Sequence, residues 1–289
     1  MKIHLGFSRA GKHASRSRAG NVAVALMLIL VACFMGLPLL YAVMQSLKPM
    51  EEIFLFPPRF FVRNPTLDNF YLLTQYTNNL WVPFERYLFN SIAYTAVATI
   101  AQIFVCSMAA FVLSKGTLRF RNALFGLVVT TLLFSYDVTA IPSYVVMSGL
   151  GLIDTVFAII LPAIAMPMGL FLMKQNMDVV PDALLEAARV DGASPMRIYA
   201  SIVMPMVKPA WLTLVIFAFQ QIWSREGLEF IYSEQLKVLP TVFRQISAGG
   251  IARAGVGAAA AVILMLPPIV TFIISQSKVI ETMAHSGIK

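Results

Sequence analysis

The sequence predicts an all-α integral membrane protein with six transmembrane helices. Hydrophobic residues fill 58% of its 289 positions, more than a water-soluble core of this size would bury. Charged residues make up 12%, about half the share usual in a soluble domain. The apolar residues also fall in long runs that are almost free of charge. A bilayer core about 30 Å thick needs about 20 helical residues at about 1.5 Å each, and six runs meet that length.

The first run, 21–47, is uncharged and follows a basic tail, 1–20. It is too long for a signal-peptide core and no small-residue cleavage site follows it, so it reads as a retained helix. The second run, 87–114, is also uncharged. The third, 122–143, contains a single charge, Asp137. The fourth, 155–173, is uncharged, and the fifth, 206–224, has Lys208 at its edge, where the ammonium can snorkel to the interface. The sixth is 254–276. Six spans place both termini on one side. With the N-terminus inside, the inner segments hold 14 of the 22 Lys and Arg residues. The positive-inside rule therefore gives an N-in, C-in topology, with residues 21–289 forming one transmembrane domain.

The net charge of +8 is accounted for by this orientation bias, and nucleic-acid binding is not expected. Cys33 and Cys106 lie in apolar runs and pack as small hydrophobes. His4, His13 and His285 sit near the termini, so no set of residues has metal-ligand spacing. No Gly-x4-Gly-Lys-Ser/Thr phosphate loop occurs, and the chain is not expected to hydrolyse ATP or to act as an enzyme.

The segment 176–205, between the fourth and fifth runs, reads as a helical hairpin outside the membrane on the inner side. Asp178 and Asp182 place negative charge at a helix start, where Pro181 suits the first turn. Helix formers follow through Asp191, with Leu184, Leu185, Ala187 and Ala188 on one side. Gly192 is a terminator able to adopt the left-handed conformation. Ser194 is an N-cap and Pro195 a first-turn proline for a second short helix. Small residues at the turn, Ala187, Ala188, Gly192 and Ala193, would let another protein approach closely. A plain solvated loop is the other reading.

Two outer segments are substantial. The stretch FLFPPRFFVRNPTLDNFYLLTQY is rich in aromatics and proline and is expected to be a compact cap. The stretch LPTVFRQISAGGIARAGVGAAAA joins a short amphipathic segment to Gly249 and Gly250. It reads either as a flexible connector or as a loop that bends into a partner on the outside.

Glu186-Ala187-Ala188, then Gly192, then Ile202-Val203-Met204-Pro205 resembles the signature loop of binding-protein-dependent ABC importer permeases. Met204 stands where that family usually has Leu. NPTLDNF, YLFNSI, IPSYVVMSGLGLIDT, LPAIAMPMGLFLMKQNM, PDALLEAARVDGAS and LKVLPTVF extend the resemblance over most of the chain. They point to the second, maltose-type permease subunit of the carbohydrate branch. The chain departs from that branch at FQQIWSREGLEF and at its C-terminal HSGIK. The resemblance implies the type I importer permease fold in a bacterial plasma membrane. It implies a coupling hairpin whose Glu186, Ala187, Ala188, Asp191, Gly192, Ala193 and Ser194 dock on a cytoplasmic ATPase. The partners implied are a second homologous permease, two ABC ATPases that use ATP and Mg²⁺, and an extracytoplasmic solute-binding protein; this chain itself would hold no cofactor.

The implied function is import of a sugar or oligosaccharide by alternating access. The alternatives are the same machine with a polyamine or phosphate-ester cargo, or an ion-coupled carrier. Asp137 lies toward the outer third of its run and reads either as an interfacial carboxylate or as a polar wall of the solute path. Gln220, Gln221 and Trp223 would supply such a path with amides and an aromatic face. Gly249 and Gly250 would be the contact loop for the binding protein.

Overall fold

A computed structural model describes the backbone of residues 18–285 and the side chains of residues 20–135 and 138–276. Among these residues the chain is helical with no strands. The first helix, α1 (Arg18–Ser46), is followed by a single turn, α2 (Met50–Ile53), and by α3 (Asp68–Asn78). The long α4 (Phe84–Lys115) crosses the whole molecule. Next come α5 (Arg121–Thr131), α6 (Tyr136–Gly149), α7 (Val156–Ile164) and α8 (Pro167–Asp178). The hairpin consists of α9 (Asp182–Val190), α10 (Pro195–Ile198), a π-type turn over Tyr199–Val203, and α11 (Met204–Met206). The chain ends with α12 (Lys208–Trp223), α13 (Leu239–Ser247) and α14 (Ala254–His285).

Among the described residues, four helical stretches are long and apolar enough to cross a membrane: Gly20–Ser46, Phe84–Lys115, Val156–Asp178 and Ile251–Gln276. A fifth is formed if Pro195–Met206 and Lys208–Trp223, which meet at 81°, count as one bent span. The bend has a local cause. Val207 leaves the helical region at φ −94°, ψ 23°, and Pro209 follows in the first turn of α12. The wide turn before it fits Pro205, whose ring crowds the carbonyl four residues earlier and offers no N–H.

The third run departs from the sequence expectation. In place of one helix over 122–143, α5 ends at Thr131 and α6 begins at Tyr136. The hydroxyls of Thr130 and Thr131 donate back to the carbonyls of Gly126 and Val128 at the end of α5. Ser135 then takes extended backbone angles, φ −74° and ψ 157°, to start α6. The fourth run is interrupted too. Ala165 and Met166 are both non-helical; Met166 is so because the residue before a proline avoids the α region, and Pro167 opens α8.

At the centre, α4 packs along α7, α8 and α12, while α14 packs against α12 and α1. A core of Cys106, Met173, Leu185, Ile198, Tyr199 and Leu214 ties α4, α8 and α12 to the base of the hairpin. At the opposite end, the first outer loop is the compact cap expected. The Lys48 ammonium donates to the Arg59 carbonyl, and the Glu52 carboxylate accepts from the N–H groups of Arg63 and Asn64 at 3.0–3.2 Å. Asn69 Nδ2 donates to the carbonyls of Ser46 and Lys48 at 2.9 and 2.7 Å, closing the cap over the end of α1.

Candidate functional site

The hairpin is built from its turn outward. Gly192 has φ +80°, in the left-handed region that favours glycine. Its N–H donates to the Arg189 carbonyl at 3.0 Å, and that of Ala193 to the Ala188 carbonyl at 2.9 Å. This pair of bonds is a Schellman closure, which satisfies carbonyls that the end of α9 would otherwise leave unpaired. Asp191 caps the helix, and the Ser194 hydroxyl accepts from the Arg197 N–H at 3.3 Å to start α10. Pro195 occupies the first turn of α10, whereas Pro181 sits one position before α9.

One side of the hairpin is buried and the other is open. Leu185 and Ile198 are each 2% exposed, and full burial of such side chains contributes roughly 1.5–3 kcal/mol each. Ala188 and Ala193 are half-buried against the same core, so they do not belong to the open surface expected of the turn. Leu184 likewise faces away from Leu185, at 46% exposure. The open face carries Ala187, Gly192, Met196 and Val190, the last 88% exposed. Glu186, Asp191 and Ser194 are exposed around it.

The base of the hairpin is fastened to the end of α4. The Lys115 ammonium, almost fully buried, donates to Asp182 Oδ1 at 2.8 Å and to the Val180 carbonyl at 2.6 Å. Lys115 holds the Asp182 carboxyl below its ordinary range by this bond and by its charge. Ser114 donates to Asp178 Oδ1 at 2.6 Å, and Lys174 pairs with Asp178 at 2.7 Å. In the core above, Tyr199 Oη and Ser107 Oγ are 2.6 Å apart and share a hydrogen bond. Movement of the hairpin is therefore mechanically joined to α4, α8 and α12.

A second feature lies where the two interrupted runs meet α12. A cavity of about 430 Å³ is lined by the α5–α6 break, the α7–α8 break, Thr139, Ser143, Gln221 and Arg225. A neighbouring groove of about 370 Å³ shares Gln221 and Arg225 and adds Ser224, Glu226, Glu229 and Arg244. The Arg244 guanidinium bonds to the Glu226 carboxylate, and the Thr241 hydroxyl donates to the Glu226 carbonyl.

A sequence profile described as the binding-protein-dependent transport system inner membrane component matches residues 14–282. The chain belongs to that family. The permease is 30% identical over 262 residues to a putative ABC transporter permease from Caldicellulosiruptor sp. (strain Rt8B.4), covering 87% of this chain and 91% of the relative. It is 27% identical over 275 residues to the sn-glycerol-3-phosphate transport system permease protein UgpE of Escherichia coli O1:K1 / APEC, covering 90% and 94%. It is 33% identical over 219 residues to protein LplC of Bacillus subtilis (strain 168), covering 73% and 70%. A crystallised bacterial ABC transporter involved in alginate import matches with a TM-score of 0.72 at 20% identity, over 90% of this chain and 98% of that one. The permease thus has the type I importer permease fold and is an inner-membrane transport component.

The residues expected along the permease's solute path separate in the structure. Gln220 and Gln221 are exposed near the end of α12, and only Gln221 lines the cavity. Trp223 is 4% exposed; its indole N–H donates to the Leu264 carbonyl at 2.9 Å and its ring stacks on Phe219. The backbone of Asp137 is in the first turn of α6, and its side chain lies outside those described. Gly249 and Gly250 are exposed beyond α13, with Gly250 at φ +86°. A Cβ on Gly249 would fall 2.4 Å from the Arg253 side chain, which in turn covers the Tyr76 ring at 4.5 Å.

Sequence reasoning missed Lys115, Thr139, Ser143 and Arg225. Lys115 was signalled by its place at the end of an uncharged run opposite Asp178 and Asp182. Arg225 lies inside FQQIWSREGLEF, the stretch already marked as a departure. Thr139 and Ser143 carried no signal, because their position depends on the break at 132–135.

Proposed function

We propose that the permease is one of two homologous membrane halves of an ATP-driven importer for a carbohydrate. Two cytoplasmic ATPases would supply ATP hydrolysis with Mg²⁺, and an extracytoplasmic binding protein would deliver the solute. The carrying observation is the hairpin itself: an open face of Ala187, Val190, Gly192 and Met196 on a base locked to α4, α8 and α12. In this reading Glu186, Ala187, Asp191, Gly192 and Ser194 seat in the ATPase, while Ala188 and Ala193 hold the hairpin's shape. ATP biases the ATPase pair towards closure, the two hairpins approach, and the spans rock from inward-open to outward-open. Gly249 and Gly250 are proposed as contacts for the binding protein, since they are exposed at the end opposite the hairpin.

The alginate transporter supports a saccharide cargo. Relatedness to a glycerol-3-phosphate permease favours a second reading, the phosphate ester of a polyol. The test is purification of the tagged chain from its native membrane. ATPase subunits should co-purify and cross-link to a cysteine placed at Ser194. A complex with no ATPase in reach of residues 182–204 would overturn the reading.

A further inference from the structure

We propose that a pocket at the inner end of α4 binds the headgroup of an anionic glycerophospholipid, with the phosphodiester and hydroxyls of phosphatidylglycerol as its best fit. The pocket has a volume of about 180 Å³ and is lined by the end of α4, the start of α5 and one side of α9. Lys115, Arg121 and Arg189 supply three cations and Asp182 and Glu186 two carboxylates, which leaves one net positive charge. Lys115 and Asp182 compensate each other at 2.8 Å, so the surplus falls on the two arginines. Arg121 spends one nitrogen on the Ser114 and Gly116 carbonyls at 3.3 Å, and a guanidinium has further N–H donors to offer. Arg189 is exposed, and none of the ion pairs among the described residues includes it. After Lys115, the charges of Arg121 and Arg189 also hold the Asp182 carboxyl below its ordinary range, which shows how closely the three cations converge. A phosphodiester carries a single negative charge, equal to the surplus, and guanidinium groups grip its oxygens through paired N–H donors. The carboxylate of Glu186, on the same side of α9 as Arg189, can accept from the headgroup's hydroxyls.

The surroundings of the pocket select a lipid over a soluble anion. The membrane-spanning stretch of α4 ends at Lys115, and α5 turns back to pack on α4 and α8. The turn between them, 116–120, therefore lies at the inner membrane interface. It exposes Leu118 and Phe120, and Leu124 is exposed in the first turns of α5. These side chains give acyl chains an apolar bed directly beside the arginines. The volume is below the roughly 300 Å³ at which small-molecule sites begin, which suits a headgroup whose chains stay outside. Basic pockets beside membrane helices on the inner side have the charge that anionic headgroups require. A lipid held here would bridge the α4–α5 turn and the hairpin, and so tie the base of the hairpin to the bilayer. This inference stands apart from the importer reading, because it concerns the membrane and not the cargo or the ATPase.

The test uses the full chain, purified with its co-purifying subunits and placed in phosphatidylcholine nanodiscs. The probe is a phosphatidylglycerol with a photoactivatable group on its headgroup. Peptide mapping should place the label on residues 114–121 and 182–189. Unlabelled phosphatidylglycerol should displace the probe, and added phosphatidylcholine should not. Soluble glycerophosphoglycerol should displace it at least about tenfold less well, since it lacks the chains. Arg189→Gln should weaken probe binding by about fivefold, the scale of one basic residue at an anionic surface, and Arg189→Lys should stay within about twofold of wild type. Arg121→Gln should weaken it to a similar degree; if that variant loosens the turn it helps to close, Arg189→Gln decides alone. Labelling elsewhere, equal displacement by phosphatidylcholine, equal displacement by glycerophosphoglycerol, or unchanged binding in Arg189→Gln would overturn the proposal. The readout is the same whether or not an ATPase co-purifies, so it is independent of the importer reading.

Discussion

The indole N–H of Trp223 donates at 2.9 Å to the carbonyl of Leu264, four residues before Pro268. In a regular helix the N–H of residue 268 would bond that carbonyl, and proline has none to give. A bilayer offers no water to replace it. Trp223 thus repairs a proline defect in α14 from the neighbouring α12. Trp223→Phe should keep the stack on Phe219 but leave the Leu264 carbonyl unpaired. The expected cost is about 1 kcal/mol, a melting shift on the order of 2 °C for the detergent-purified complex. Pro268→Ala restores a donor, so adding Trp223→Phe to it should cost less than half as much. Equal costs in both backgrounds would show that the bond does not serve this carbonyl.

Gly192 is surrounded by open space, and an added Cβ would meet nothing within 4 Å. Its constraint is conformational. At φ +80° an L side chain costs roughly 1–2 kcal/mol. Gly192→Val should therefore loosen the closure of α9 without disturbing the core. Hydrogen exchange at the Ala193 amide, bonded to the Ala188 carbonyl, should accelerate by about tenfold, and uptake should fall while membrane levels hold. Gly192→Asn should be milder, because asparagine tolerates the left-handed region. An unchanged exchange rate at Ala193 in the valine variant would remove this account.

The hairpin was legible because its signals are local: Gly192 as terminator, Ser194 as cap and Pro195 as first-turn residue all depend on near neighbours. The apolar runs were legible for the same reason, since length and composition carry the membrane signal. Facing was harder to read. Ala188 and Ala187 are adjacent small residues, yet the core beneath the hairpin takes only Ala188. The break at 132–135 has no proline or glycine to mark it; the one at 165–166 has Pro167 beside it, yet the uncharged run 155–173 reads as one span. The cavity needs both breaks and the end of α12 together, so no single stretch of sequence contained it.

Lys115 is the fastening that joins α4 to the hairpin, and its two bonds differ in replaceability. Asp182 is largely exposed, and water can solvate its carboxylate if the pair is broken. The Val180 carbonyl receives the same buried ammonium. Asp182→Asn should accordingly change ATP-coupled uptake by less than about twofold, the scale of an exposed ion pair. Lys115→Met removes both bonds and should lower uptake several times more at matched membrane levels. Disulfide trapping between the end of α4 and α9 would show the slack directly. If the two variants behave alike, the exposed pair and not the backbone bond carries the fastening.

Asp154 makes the corresponding fastening at the opposite end. Its backbone sits at φ +60°, and its carboxylate accepts from the Ser233 hydroxyl and from the N–H groups of Ser233 and Tyr232 at 2.8 and 2.9 Å. Its own N–H donates to the Phe230 carbonyl at 2.8 Å. The Ser233 hydroxyl, then the Ser233 amide, hold the Asp154 carboxyl below its ordinary value of 3.8. A folded-state value below the unfolded one means that the clamp's contribution is complete above about pH 3.8 and fades as pH falls through the depressed value. Limited proteolysis of the 225–238 loop should therefore stay flat from pH 7 to pH 4 and rise at lower pH, using an acid-active protease. Asp154→Asn should abolish that rise by losing the titrating group. Asp154→Gly should open the loop less than Asp154→Ala, since both lose the bonds but only alanine keeps the strain at positive φ. A rise that persists in Asp154→Asn would assign the acid sensitivity to another carboxylate.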